Sequence, residues 1–176
     1  MIALADKHES YMGIPNDDAK ALEWIRKAAA GGDVLSQYSL AYRYYRGEGV
    51  SKDNTEAFKW FQKSAEAGLA ASQFFLGRMY HEGEGVARDY TKALEWYRQA
   101  AEQGAAAAKI KLGQMYYQGE GVPKNAVEAA KWFQDPANAG SAEAQAGLVL
   151  AYREAAEQGD AGAQCSLAGL YNKGQG

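Results

Sequence analysis
Four tryptophans, Trp24, Trp60, Trp96 and Trp132, stand 36 residues apart. Gly32, Gly68, Gly104 and Gly140 keep the same interval, and the tetrapeptide Gly-Glu-Gly-Val recurs at 47–50, 83–86 and 119–122. Leu-x-x-x-Tyr returns as Leu40/Tyr44, Leu76/Tyr80 and Leu112/Tyr116, and later as Leu167/Tyr171. A period of this length marks stacked supersecondary units that bury their apolar faces only against one another. It divides the chain into a degenerate repeat 1–32, repeats 33–68, 69–104 and 105–140, a shortened repeat 141–159 and a partial terminal repeat 160–176. All are read as one solenoid domain over 1–176.

The repeat 69–104 shows what each unit contains. Ser72, Leu76 and Tyr80 fall four residues apart and make one buried stripe, which predicts a helix A from Ala70 to Glu82. Gly83 stops it, since a glycine just past a helix end escapes the strain of the left-handed conformation. Gly85 lets the chain reverse, and Val86 tucks back. Helix B follows Asp89, an N-cap whose carboxylate accepts from free backbone N–H groups. Asp17, Asp53 and Asn125 hold the same place, and the pairs Asp53/Glu56 and Asn125/Glu128 have the form of capping boxes. Ala93, Trp96, Tyr97 and Ala100 form the inner face, with the Trp column read as core packed beside small alanines, and Gly104 ends the helix. Val, Ile and Thr do not cluster in alternating runs, so no sheet is expected.

Glycine turns beside helices can cradle phosphate, but such a loop follows a strand, and neither GxGxxG nor GxxxxGK[ST] occurs. The Gly-Glu-Gly-Val turns are therefore punctuation between helices. His8 and His81 have no second histidine at helical spacing, and the single cysteine, Cys165, cannot build a thiolate cluster, so no metal or other cofactor is expected. Cys165 replaces Tyr38, Phe74 and Ile110 of other repeats and reads as a small apolar filler. Neither Ser-x-x-Lys nor G-x-S-x-G appears. Glu82 and Glu84 flank a glycine, but Glu48 and Glu120 recur at the Glu84 position, which reads as solvation of a turn. The net charge of −3 with scattered Lys and Arg gives no nucleic-acid footprint, and no apolar run reaches membrane-spanning length. MIALADKHES lacks the basic and apolar regions of a signal peptide, which leaves the compartment open between cytoplasmic and, with a leader removed, periplasmic or secreted.

These motifs resemble the Sel-one-like repeat family, relatives of the tetratricopeptide repeats, and a bacterial member of it is expected. The likeness rests on A-Q/S-Q at the start of helix A, L-G-x-x-Y within it, the G-x-G-V turn, the following Asp, and K-A-x-x-W-[YF]-x-x-A-A-x-x-G. The resemblance implies an all-α, right-handed solenoid of antiparallel helix pairs that binds other proteins without enzymatic activity. Bacterial members are often exported or act in host interaction. Cysteine-rich relatives linked to β-lactam binding or hydrolysis carry paired cysteines in each repeat. This chain lacks them, so that hydrolase alternative is disfavoured.

By resemblance, helix A lines a concave groove. Positions 38, 42 and 45 share a stripe on a side away from the buried column 36, 40, 41 and 44. The stripe holds Tyr38, Tyr42 and Tyr45, then Phe74, Arg78 and His81, then Gln114 and Tyr117 with Ile110. These eight, Ile110 excepted, are the expected partner-binding residues, with Tyr38 and Phe74 alternatively packed between repeats. Three departures stand out. Pro136 replaces Ala100 and should end or kink its helix near Gln134. Residues 142–158 have no turn and read as one helix that reverses the parity of the stack, so that the last segment caps it. The chain stops at Gly176 where a helix B is due, which suggests truncation, and an unfinished face makes end-to-end or swapped self-association a third reading.

Overall fold
The structure, a computed structural model, describes residues 18–172. Among them are nine helices and no strand: α1 Asp18–Ala30, α2 Val34–Arg46, α3 Asn54–Glu66, α4 Ala70–Glu82, α5 Tyr90–Glu102, α6 Ala106–Gln118, α7 Ala126–Asn138, α8 Ala142–Glu157 and α9 Ala161–Asn172. They form two compact units, one ending at Arg88 and the other beginning at Asp89. Asp17, His8 and the turn of the first repeat lie outside the described residues.

The helices B after the first start at side chains that accept from the first free N–H groups, whereas α4 and α6 start at Leu69 and Ala105 with no such cap. Asp53 accepts from the amides of Thr55 and Glu56, Asp89 from Lys92, and Asn125 from Glu128. The capping boxes are only half made. The Asp53 and Asn125 amides donate to the carbonyls of Tyr44 and Tyr116, and Glu56 and Glu128 turn outward to Lys59 and Lys131. Backbone acceptors from the preceding helix thus outcompete the expected glutamates. Asp33 adds a cap that the period does not show, accepting from the amide and hydroxyl of Ser36.

Helix A ends at a left-handed glycine. Gly83 (φ 75, ψ 32) and Glu84 both donate to the Met79 carbonyl. The second glycine of the turn has a different task. A Cβ on Gly85 would lie 2.2 Å from the Asn54 carbonyl oxygen, so this turn sits against the start of α3. Gly121 approaches Tyr90 in the same way within the second unit.

The core is not built on the tryptophans. Trp24 is 70% exposed, and Trp60, Trp96 and Trp132 are half-buried. The next residue is the anchor: Ile25, Phe61, Tyr97 and Phe133 are all buried. The helix presents that neighbour 100° further round, so the ring and the indole fall on different faces. Phe133 reaches both flanking helices, and a Cβ on either Gly113 or Gly147 would lie 2.7 Å from its ring.

Polar ties repeat beside the rings. Gln37, Gln73, Gln145 and Gln164 donate to the carbonyls of Ala29, Ala65, Ala137 and Ala156, each eight residues earlier. Those carbonyls lie in the last turn of the preceding helix, and each also accepts from the amide of the glycine three residues on, so the glutamine is a second donor. The glutamine of the A-Q/S-Q motif is thus a link between repeats. Lys109 occupies the same column and instead pairs with Asp135 at 2.6 Å.

Two departures from the period resolve differently. α7 continues through Pro136 to Asn138, with Pro136 buried, so no helix end forms at Gln134. The ring removes one donor close to the helix terminus, and the Pro136 carbonyl is still taken by the Ser141 amide. α8 is one uninterrupted helix doing two jobs. One face acts as a helix A: Gln145 ties to Ala137, and the Tyr152 hydroxyl donates to Gln134 at 2.8 Å. Another face acts as a helix B: Ala156 receives Gln164, and Arg153 donates to the Tyr171 hydroxyl.

Turn packing can be separated from backbone conformation. Gly104 (φ 88) has nothing within 4 Å of a Cβ, so Gly104→Ala carries only the left-handed term, roughly 1 kcal/mol. Gly85→Ala adds a collision with Asn54 and should cost at least about twice as much. Urea midpoints compare the two, and equal losses would remove the packing role of the turn.

Candidate functional site
In the first unit, α2 and α4 carry six of the eight residues singled out by the stripe. They meet around a ring that the period concealed. Phe75 stacks face to face on Phe61, with centroids 4.8 Å apart and planes at 2°. Tyr42, Tyr45 and Phe74 approach Phe75 edge-on at 5.7 Å, and Tyr38 lies 6.1 Å from it. Phe75 escapes a column search because Ser39 and Lys111 hold its position in the neighbouring repeats.

Tyr45 is not on the open surface. It is 7% exposed, edge-on to Phe61, and its hydroxyl donates to Glu84 Oε2 at 2.7 Å. The Arg78 guanidinium lies 5.3 Å from its ring. Burial, then the bond to Glu84, pushes the Tyr45 hydroxyl up to about 12. Glu84 is therefore a tie between α2 and the turn after α4, beyond the solvation role expected of it. Helix rotation explains the exchange: residue 45 turns inward with 41, and Tyr44 is left half-buried.

Tyr38, Tyr42, Phe74, Arg78 and His81 are half-buried, each presenting part of its surface. Burial raises the Tyr38 hydroxyl above its usual range, with Tyr42 adding to it. For Arg78, burial opposes the charge, but Glu82, Tyr45 and Glu84 outweigh it and hold the guanidinium protonated. Its Nε lies 3.2 Å from Glu82 Oε1.

In the second unit, Gln114 donates to Glu143 at 2.7 Å and accepts from Lys111 at 3.0 Å. Tyr117 lines an open hollow with Leu150, Arg153, Glu154, Glu157 and Gln158. Lys124 lies 5.2 Å from the Tyr117 ring and pairs with Glu154 at 2.7 Å, which raises its ammonium above the ordinary range. Cys165 is exposed on α9 and is not a buried filler. Among the described residues, no group of three or more His, Cys, Asp or Glu side chains could hold a metal ion, and no helix is long and apolar enough to cross a membrane.

The Sel1 repeat profile matches residues 1–33, 34–69, 70–104 and 106–140. This chain belongs to the Sel1 repeat family. A comparison with curated protein sequences finds no match. Among solved structures it is similar to a protective antigen present in uropathogenic Escherichia coli strains, which displays an SLR fold. The identity is 35% and the TM-score 0.78, over 98% of this chain and 41% of the antigen. This chain thus spans well under half of that protein's length. A Sel1 repeat protein from Oxalobacter formigenes is 38% identical (TM-score 0.65), over 72% of this chain and 96% of its own. Helicobacter pylori cysteine rich protein B is 29% identical (TM-score 0.55), over 73% and 92% respectively. The fold is an all-α helical repeat solenoid. Sel1 repeat proteins are in general protein–protein interaction scaffolds and are typically not catalytic.

The Tyr45–Glu84 tie has a pH signature. A folded-state value raised from 10.0 to about 12 means that the stability it supplies is complete below pH 10 and is lost as pH rises through about 12. Urea midpoints at pH 8 and pH 11 should fall further for wild type than for Tyr45→Phe. Parallel losses would show that Tyr45 titrates as an exposed phenol.

Proposed function
We propose that this chain is an adaptor that binds an extended peptide or a partner's helix on its helix-A faces, with the aromatic wall of α2 and α4 as the main contact of the first unit. The observation that carries this reading is the Phe75-centred cluster, whose outer members Tyr38, Tyr42 and Phe74 stay half exposed while being braced from behind. Rings already fixed by packing lose little entropy on binding, which is why aromatic residues dominate interface energies. Arg78 and His81 border the wall and add polar specificity. Tyr45 supports the wall from beneath and contributes no contact of its own. Gln114 and Tyr117 offer a polar and aromatic surface on the second unit.

A random peptide library displayed on phage and selected on the immobilised chain tests this. Selected peptides should lose at least about tenfold in affinity for Tyr42→Ala/Phe74→Ala, a loss of roughly 1.4 kcal/mol. Circular dichroism checks that the variant keeps its helices. Unchanged affinity in the folded variant, or no enrichment at all, overturns the reading. Loss only in Gln114→Ala/Tyr117→Ala moves the contact to the second unit.

A further inference from the structure
The surroundings of Tyr45 in the first unit have a counterpart two periods later, in the second. Gln73 and Gln145 fix the register, since each donates, from the first turn of its helix, to a carbonyl eight residues earlier. On that register Tyr45 corresponds to Tyr117, Lys52 to Lys124, Arg78 to Leu150 and Glu82 to Glu154. In the first unit three of these groups form a set. The Arg78 guanidinium lies 5.3 Å from the centre of the Tyr45 ring, and its Nε lies 3.2 Å from Glu82 Oε1. The ring offers the negative face of its π system and the carboxylate offers a full charge, so both hold the cation.

The second unit keeps the ring and the carboxylate and loses the guanidinium. Leu150, in place of Arg78, carries no charge and is 46% exposed. Beside it is the open hollow that Tyr117 and Glu154 line, about 410 Å³ in volume. Lys124 stands in for the missing group. Its Nζ lies 5.2 Å from the Tyr117 ring and 2.7 Å from Glu154. Its counterpart Lys52 lies 5.8 Å from the Tyr45 ring, where Glu82 bonds Arg78 instead. The Lys124 side chain is half exposed, and a pair of this kind is weak and screened by salt. A guanidinium stacks on a ring and meets a carboxylate with a planar fork, which an ammonium lacks, so it is the stronger ligand for the same two groups. With Lys124 swung out, the lining sets Glu154 and Glu157 against Arg153, which donates to the Tyr171 hydroxyl at 3.3 Å.

We infer that the hollow between Tyr117 and Glu154 is a pocket for an arginine side chain of the bound peptide, with Lys124 as the chain's own placeholder. The incoming guanidinium takes the place that Arg78 holds in the first unit, and its aliphatic stem lies on Leu150. Only the source of the arginine rests on the adaptor reading. The pocket itself rests on the likeness of the two sites.

NMR titration of the isotope-labelled chain with two short probes tests the pocket. One is acetyl-Gly-Gly-Arg-Gly-Gly-amide, and the other carries citrulline in place of arginine, which keeps the shape of the side chain and removes its charge. The arginine probe should move the Tyr117 and Leu150 signals saturably, and the citrulline probe should bind at least about tenfold more weakly. Glu154→Gln should weaken the arginine probe by a similar factor. Leu150→Arg, at an exposed position, restores the arrangement of the first unit and should abolish probe binding while helical circular dichroism stays unchanged. Lys124→Ala removes the competitor and should tighten binding by up to about fivefold. No saturable shift, equal binding of the two probes, or undiminished binding by Leu150→Arg overturns the pocket. Probe binding beside a phage selection that enriches nothing keeps the pocket and removes the adaptor reading. Enriched peptides without arginine, beside a silent probe, remove the pocket and keep the adaptor reading.

Discussion
Phe133 is gripped from both sides, by Gly113 of the helix before it and Gly147 of the helix after it. In the first unit Phe61 meets Phe75 face to face on the same side. A ring of this kind contributes about 1.5–3 kcal/mol by leaving water, and truncating one in a core costs about 3–5 kcal/mol. The surface ion pairs along the helices, such as Lys59 with Glu56, are each worth about 0–1 kcal/mol. The ring therefore outweighs them. It also sets how closely successive helices can pass, and the small residues of the adjoining columns are what make room for it.

Most of the helix framework could be read from the chain. The bounds of α4 and the single helix α8 follow from the glycines and from the missing turn at 142–158. Registers of burial were harder to read. A helix that turns 100° per residue places Trp60 and Phe61 on different faces, and their spacing along the chain is identical, so the period alone cannot say which is inside. The indole repeats faithfully and draws attention, while the core position accepts Ile25, Phe61, Tyr97 or Phe133 and looks variable. The same ambiguity exchanged Tyr44 and Tyr45. Phe75 could not be found by comparing repeats, because it belongs to one repeat only. The role of Glu84 depends on a partner 39 residues away, a distance at which composition and spacing carry no signal.

α8 shows how tolerant this construction is. A repeat can lose its turn, and a single helix then carries both sets of contacts, because the two sets occupy different faces. Tyr152 serves the preceding helix through its hydroxyl while Arg153, one residue on, serves the following one. What the repeat conserves is the set of contacts rather than the number of helices.

The glutamine links have a consequence for how the chain comes apart. In a repeat array, cooperativity depends on the free energy of each nearest-neighbour junction more than on the stability of the units joined. A link from glutamine to a terminal carbonyl is worth about 1 kcal/mol, and melting one helix A removes it from the preceding helix, which couples the two. At Lys109 that link is missing, and the lysine reaches forward to Asp135 instead. Junction energy is thereby moved from the α5–α6 joint to the α6–α7 joint. Thermal opening within the second unit then has a preferred starting point at α5, and the helices after it remain coupled as a block.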